Sequence, residues 1–283
     1  MPTLRPAHTT DLAAISAFLA PRLQGAGGEA RYRRYLGYSW LDDKPNLGFL
    51  IEDGGIRGFI GGIYSVRRVA GTDHKMCNLT SIWVDESHRK WTLPLFKHMF
   101  DQPGYTFSSL SPTPQVVEIL RFFKFHKHDA HKVIATPAAG IARSLRRTRV
   151  YSARSLEREL DATSLQIFRD HRPYGCGHFL VERGDERCYV VTVRRGHGVR
   201  AFADVIYASN PEFLVSAIAH LHVPVGITHK TMLIGLERTW VERVPFGTFV
   251  YTKLRPRLVR GASAGTSDVD GLYTELVVVS GWP

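Results

Sequence analysis

The sequence predicts an α/β chain, α+β in detail, of two domains, each a mixed and mostly antiparallel sheet flanked by helices. Three observations predict it. The chain has 283 residues, which is long for one ordinary domain and suits two. Short runs rich in β-branched and aromatic residues are interspersed with runs of helical apolar spacing. The same order of elements (helix, hairpin, strand, helix, further strands) recurs in both halves with little residue identity, which points to an internal duplication.

The elements follow from local patterns. Thr3 to Ala7 is extended, and Thr9, Thr10 and Asp11 offer helix caps before Leu12, Ile15, Phe18 and Leu19, which repeat at helical spacing. Tyr32 to Tyr38 reads as a second helical piece. Leu47 to Glu52 and Ile56 to Val66 are strands joined by Asp53-Gly54-Gly55, a turn sequence that tolerates positive φ. Asn78 to Val84 is a central strand, Thr92 to Met99 a helix and Tyr105 to Leu110 another strand. Ser111-Pro112-Thr113-Pro114 opens a helix whose apolar side is Val116, Val117, Ile119, Leu120 and Phe123. An Arg-dense stretch follows (Arg143, Arg146, Arg147, Arg149), and Thr148 to Arg154 lacks apolar periodicity, so the domains are expected at 1–147 and 148–283. The second half restarts with a helix over Leu156 to Phe168. Strands follow at Gly177 to Arg183, Arg187 to Arg194 and Arg200 to Tyr207. Then come a helix from Pro211 to Leu221, capped by Ser209 or Asn210, and strands at Met232 to Gly235, Gly247 to Leu254 and Leu272 to Val279.

Composition excludes several classes. No stretch nears the ~18 consecutive apolar residues of a membrane span, and the polar start carries no apolar signal region, so a cytoplasmic protein is expected. Cys77, Cys176 and Cys188 are few, odd in number and without a C-x-x-C, which fits buried thiols in a reducing compartment and no metal site. The net charge of +11 calls for an acidic partner: nucleotide phosphates, an acidic carrier protein, a membrane surface or nucleic acid. No helix-turn-helix or RNP-like pattern supports specific nucleic-acid binding.

The segment Leu79 to Leu95 carries the chemistry. A buried strand ends at Val84, a polar loop follows, and a helix opens near Thr92. Amides at such a junction attract anions, and Arg89 and Lys90 add charge, so a phosphate or pyrophosphate cradle is expected there; a solvated basic turn is the other reading.

Arg89-Lys90-Trp91-Thr92-Leu93-Pro94 resembles the central loop of the GNAT (Gcn5-related N-acetyltransferase) superfamily. That loop follows a strand ending in Val and runs Arg or Gln, two residues, Gly, one residue, Gly or Ala. Arg89 matches the first position, whereas Thr92 and Pro94 replace the two small residues. The resemblance extends over residues 1 to 145, through Leu4-Arg5-Pro6-Ala7, the Asp53-Gly54 hairpin and Phe123-Lys124-Phe125, which stands where the family often shows Leu-Gly-Phe. The second half resembles a divergent copy without a phosphate loop.

The resemblance implies an acyltransferase. Acetyl-CoA or another acyl-CoA would bind where Asn78 to Val84 and Tyr105 to Leu110 splay apart. Its pantetheine arm would meet the backbone at Ile82, Trp83 and Val84, and its pyrophosphate Arg89, Lys90, Trp91, Thr92 and Leu93. An acidic acyl-carrier protein is the alternative donor, and a small-molecule or sugar amine or hydroxyl the acceptor. The family's usual Tyr acid falls near Leu120 and is missing. Asn78, Ser109, Ser111 and His126 are the substitutes, with Ser81, Ser108 and Glu52 nearby. Glu275 would serve as a base if its strand faces the cleft. A non-catalytic ligand-binding protein on the same scaffold is the competing reading. In the second half, Arg194, Arg195, His197 and Arg200 form a polar hairpin tip or an acidic-partner site.

Overall fold

The computed structural model describes residues 1–23, 27–69, 72–139, 147–152, 155–196, 198, 201–261 and 270–278. These form two compact units. One holds Met1–His128 and the C-terminal stretches after Arg255 other than Asp270–Leu272, and the other holds Asp129–Arg255 with Asp270–Leu272. Arg143, Arg146, His197 and Arg200 lie outside the described residues.

The first unit runs β1 (Thr3–Pro6), α1 (Leu12–Leu19), α2 (Gly28–Leu36), β2 (Gly48–Glu52), β3 (Ile56–Val69), β4 (Thr72–Val84), α3 (Thr92–Phe100), β5 (Tyr105–Ser109), α4 (Pro114–Phe122) and β6 (His126–His128). The second runs β7 (Lys132–Ala135), β8 (Arg149–Ser152), α5 (Leu156–Glu159), α6 (Ala162–His171), β9 (Gly177–Arg183), β10 (Glu186–Arg195), β11 (Phe202–Ala208), α7 (Pro211–Ala217), α8 (His222–His229), β12 (Ile234–Glu237) and β13 (Thr248–Tyr251). The chain then returns to the first unit with β14 (Arg257–Arg260) and α9 (Glu275–Val278).

Each unit has a seven-stranded sheet, ordered β1-β2-β3-β4-β5-β14-β6 and β8-β9-β10-β11-β12-β7-β13. In each, the fourth and fifth strands pair in parallel, β4 with β5 and β11 with β12. The duplication expected from the sequence thus recurs as one strand order used twice. The sixth place in each sheet is taken by a strand from the other half of the chain, β14 in the first and β7 in the second. An expected division into 1–147 and 148–283 puts β7 and β14 in the domains opposite to the sheets in which they pair. Four-residue strands carry too little periodicity to announce their sheet, and hydrogen bonding to β12 and β5 decides it.

Local chemistry accounts for the boundaries. Gly54 and Gly55 take φ of 62° and 135° in the β2–β3 turn, where a Cβ would be strained. Thr113 and Asn210 accept backbone N–H bonds from Val116 and Phe213, each followed by Pro at the first helical position. Lys124 ends α4 in the left-handed region at φ 60°, a conformation that Gly most often takes at a helix end. The helix expected over Leu156 to Phe168 is broken before Asp161, which caps α6 by accepting from Ser164 N–H (2.9 Å) and Ser164 Oγ (3.0 Å). Asp161→Ala should therefore lower the stability of the second unit by about 1 kcal/mol, read from its denaturant midpoint.

One face of the first sheet packs Cys77, Leu79, Phe107 and Leu258 against Leu95, Phe96, Met99 and Leu120 of α3 and α4. In the second unit Val133, Val190, Val205 and Leu236 pack with Phe213, Leu214, Leu221 and Val225.

Candidate functional site

The fork between β4 and β5 is made by an early end to their pairing. The parallel register runs from Lys75↔Tyr105 to Asn78↔Ser108 and stops. Beyond it β4 continues to Val84 paired with β3 alone, while β5 turns its Ser109 toward Leu258 of β14. The divergence has a local cause. The β3–β4 register shifts between Phe59↔Trp83 and Gly61↔Thr80, so Ser81 and Ile82 stand opposite the single residue Ile60. Ser81 is left-handed at φ 51°, a bulge that bends β4 at the level of the fork. Among the described residues, Leu79 to Val84 consequently have no strand on their β5 side, which leaves that edge open to an extended ligand.

Buried polar side chains fill the apex. Asn78 Nδ2 donates to Ser108 Oγ (3.1 Å), and Asn78 Oδ1 accepts the backbone N–H of Glu275 (3.0 Å). Ser111 Oγ donates to Glu275 Oε1 (3.0 Å). Ser108 and Ser109 are buried, and Ser109 lies at the end of β5. Aromatic rings stand beside this cluster. Trp40 stacks on Tyr38 at 4.6 Å and meets the Tyr273 ring edge-on at 5.4 Å. Trp40 is placed by its Nε1–H bond to Tyr64 O (3.0 Å), and Tyr38 by accepting Tyr64 N–H (2.8 Å). Tyr35 of α2 accepts Arg31 Nε–H (2.7 Å). Burial pushes the Tyr35 phenol above its ordinary value against the pull of Arg31, and the Glu275 charge adds a smaller push the same way.

The loop after β4 differs from an open amide cradle. Glu86–Trp91 is a 3-10 turn running straight into α3. His88 N–H bonds to Asp85 O and Thr92 N–H to Arg89 O, so these amides are used within the turn. Thr92 is the first residue of α3, its helix has no side-chain cap, and Pro94 sits in the first turn without costing a bond. Arg22 pairs with Asp85 (2.8 Å) and His88 Nε2 with Asp53 (3.1 Å), which ties the turn to α1 and to the β2–β3 hairpin. Arg89 and Lys90 point to solvent, Arg89 having only a long 3.8 Å contact with Glu86. Trp91 packs on the α3–α4 core, and Leu93 is half exposed.

The structure therefore gathers Asn78, Ser109 and Ser111 at the fork, and Ile82, Trp83 and Val84 on its β4 arm. His126 is not with them. It is exposed at the start of β6, opposite Val259 of β14, and β6 lies two strands from β5, about 10 Å away. Glu52 is engaged by Arg5 (2.8 Å). Leu120, at the level of the family's acid, is fully buried in the core. Glu275 does reach the fork, but in a short helix and not in the strand expected over Leu272 to Val279. Tyr35 and Trp40 had no distinguishing signal, being aromatics in polar surroundings.

This arrangement is the two-domain α/β fold of the GCN5-related N-acetyltransferases. No family model matches the sequence, and no curated protein does. Among solved structures, a GCN5-related N-acetyltransferase from Anabaena variabilis matches with a TM-score of 0.59 and 9% identity, over 92% of this chain and 72% of that one. One from Kribbella flavida gives 0.55 and 13%, over 92% and 71%. A putative acetyltransferase from Pyrococcus horikoshii gives 0.54 and 13%, over 99% and 96%. At these identities the fold is what is shared. Among the described residues no helix is long and apolar enough to cross a membrane, and no group of three or more His, Cys, Asp or Glu is arranged to hold a metal ion.

Proposed function

We propose that the first unit transfers an acyl group from a pantetheine thioester to a small-molecule or sugar acceptor, with acyl-CoA as donor and an acyl-carrier protein as the alternative. The observation that carries this is the fork: β4 leaves the backbone of Leu79 to Val84 unpaired toward β5, beside buried polar groups at Asn78, Ser108 and Ser109. A pantetheine arm has two amides and can pair with that edge as an added strand would. The thioester then reaches the apex. There the acceptor attacks the carbonyl carbon, its bond to that carbon forms, the C–S bond breaks, and the thiolate takes up a proton. The donor's phosphates meet the side chains of Arg89 and Lys90, because the turn keeps part of its amide set to itself.

Calorimetry with acetyl-CoA tests this. The double variant Arg89→Ala/Lys90→Ala should weaken binding about fivefold at low salt and much less in 0.5 M salt, because exposed charges contribute about 1 kcal/mol together and are screened. Absence of heat with acetyl-CoA, with longer acyl-CoA and with a phosphopantetheinylated carrier protein would sink the reading. The internally bonded turn and the core position of Leu120 favour a second one, a ligand-binding protein without turnover. It predicts donor binding with no thiol release.

A further inference from the structure

Each sheet ends in two edge strands, and three of the four are guarded. β1 carries Arg5 and Pro6, β6 is His-Lys-His and β8 begins with Arg149, the charges and proline that keep a sheet edge from pairing with another chain. β13, Thr-Phe-Val-Tyr, has neither. It lies inside an uncharged run, Val244 to Thr252, of a chain whose net charge is +11. Four large apolar side chains of that run are exposed, Phe246 to 88% and Val244, Phe249 and Val250 to nearly half. No stretch of like length among the described residues exposes as many. Phe249 and Val250 are successive, so they stand on opposite faces of the sheet, and the edge is apolar on both. The turn before β13 is well fixed. Gly247 O accepts from Thr136 N–H (3.0 Å) and Thr136 Oγ1 (2.7 Å), and Thr248 Oγ1 donates to Pro245 O (2.7 Å).

The first of these bonds also sets which way the backbone of β13 faces. Gly247 and Thr136 fall on the β13–β7 register, so Gly247, Phe249 and Tyr251 turn their N–H and C=O groups to β7. Thr248 and Val250 turn theirs outward, where among the described residues no strand meets them. A lipid surface would cover the side chains and leave these backbone groups unbonded. An added strand satisfies both. The strand that fits is β13 itself. In antiparallel pairing about a twofold at Val250, Val250 faces Val250, Phe249 faces Tyr251, Thr248 faces Thr252 and Phe246 faces Leu254. Lys253, the nearest charge, falls opposite Gly247, so no like charges meet along the pair and two basic copies approach on their neutral edges. We infer that the chain forms a twofold dimer by pairing β13 with β13 of a second copy, which joins two seven-stranded sheets into one. The exposed parts of the four side chains come to about 400 Å² per copy, half of the ~800 Å² per partner of a standard interface. The dimer is therefore held by backbone bonds as much as by area, and it dissociates on dilution. This inference is independent of the acyl-transfer reading.

Sedimentation equilibrium of the full chain over a concentration series tests it. The mean mass should rise toward twice that of the monomer as concentration rises. Val250→Lys puts like charges face to face at the twofold and should weaken the dimer by about tenfold or more. Phe246→Ser should weaken it by about threefold or more. Both variants should keep the denaturant midpoint of the parent, since the two side chains are exposed. Val250→Cys reads the register without adding charge to the edge. Its self-opposed Cα atoms would lie about 5.5 Å apart, within disulfide reach, so oxidation should give a covalent dimer that the parent chain does not form. Val223→Cys, at a more exposed position on α8, should stay monomeric under the same oxidation. Three results overturn the inference: a monomer at about 1 mM, where even a millimolar Kd would show; a dimer as strong in Val250→Lys as in the parent; or cross-linking of Val223→Cys as efficient as that of Val250→Cys. Binding of a monomeric chain to phosphatidylglycerol vesicles, lost in Phe246→Ser, would also overturn it and make the edge a membrane contact.

Discussion

Lys132→Met should cost the second unit about 3–5 kcal/mol, the largest single-residue effect expected in this protein. Lys132 and Asp204 are both 0% exposed, and the ammonium lies between Glu237 Oε1 (2.6 Å) and Asp204 Oδ1 (2.5 Å), the latter an ion contact more than an aligned hydrogen bond. Arg195 reaches the other Asp204 oxygen at 3.0 Å. The four groups sum to zero charge. Removing the ammonium leaves two carboxylates against one guanidinium at a buried site, and the desolvation of the carboxylates is then less fully offset. The double variant Lys132→Met/Glu237→Leu restores the balance as an Asp204–Arg195 pair. It should be more stable than the single variant by about 1 kcal/mol or more. Denaturant unfolding measures the total, and hydrogen exchange should show the loss in β7, β11 and β12 with the first sheet unchanged. A loss under about 1 kcal/mol in Lys132→Met would show that the network is solvated in solution.

That network also bears on the duplication. Asp204 pairs with Gly235 at the last observed step of β11 with β12, as Asn78 does with Ser108 at the last step of β4 with β5. The same strand position carries a fork with Asn78, Ser108 and Glu275 at its apex in one unit and an ion cluster in the other. A donor would have to displace Lys132 from two carboxylates to enter the second. For that reason acyl transfer is proposed for the first unit alone.

Much of the fold was legible because it is written in local patterns. The Asp53-Gly54-Gly55 turn, the Thr113-Pro114 and Asn210-Pro211 helix starts and the β9–β10 hairpin all have short-range causes. Strand exchange was not legible, since β7 and β14 are four-residue strands whose partners lie about 100 to 150 residues away in sequence. The site divides in the same way. Asn78 and Ser109 could be placed from the strand pattern. Glu275 was visible only as a residue whose role depended on an unknown neighbour, because Glu-Leu-Val-Val reads as strand from its β-branched residues yet is held as a short helix by bonds to Thr274 and Asn78. His126 failed for the opposite reason. Its His-Lys-His context drew attention as chemistry, but those residues pair along an edge strand and face solvent.

Acidification from pH 7.5 to pH 5 should destabilise the second unit by about 4 kcal/mol, through two buried histidines. Burial, helped by His171 and His229, holds His178 down to about 3; burial, helped by Arg194, holds His229 down to about 4. The geometry agrees. His178 Nδ1 meets the Tyr189 hydroxyl at 2.8 Å, and His229 Nε2 meets Thr192 Oγ1 at 2.7 Å. Gly177 leaves room for that second contact, since a Cβ there would fall 2.5 Å from His229 Nε2. Both rings fold as neutral imidazoles, with folded pKa values below the unfolded value of about 6.5. The unfolded chain therefore binds more protons between about pH 6.5 and pH 4, and stability falls as pH falls through that window. At pH 5 each ring stands 1.5 units below its unfolded pKa, which is about 2 kcal/mol apiece. The carboxylates held low by cations, Asp11 and Asp85 among them, contribute only at lower pH. Against a total stability of about 5–15 kcal/mol this is a large fraction. His178→Gln/His229→Gln should remove more than half of the slope between pH 7 and pH 5, read as denaturant midpoints along a pH series. His222, also held low by burial, supplies part of the remainder. An unchanged slope in the double variant would mean that the second unit opens enough at pH 5 for both rings to protonate in place.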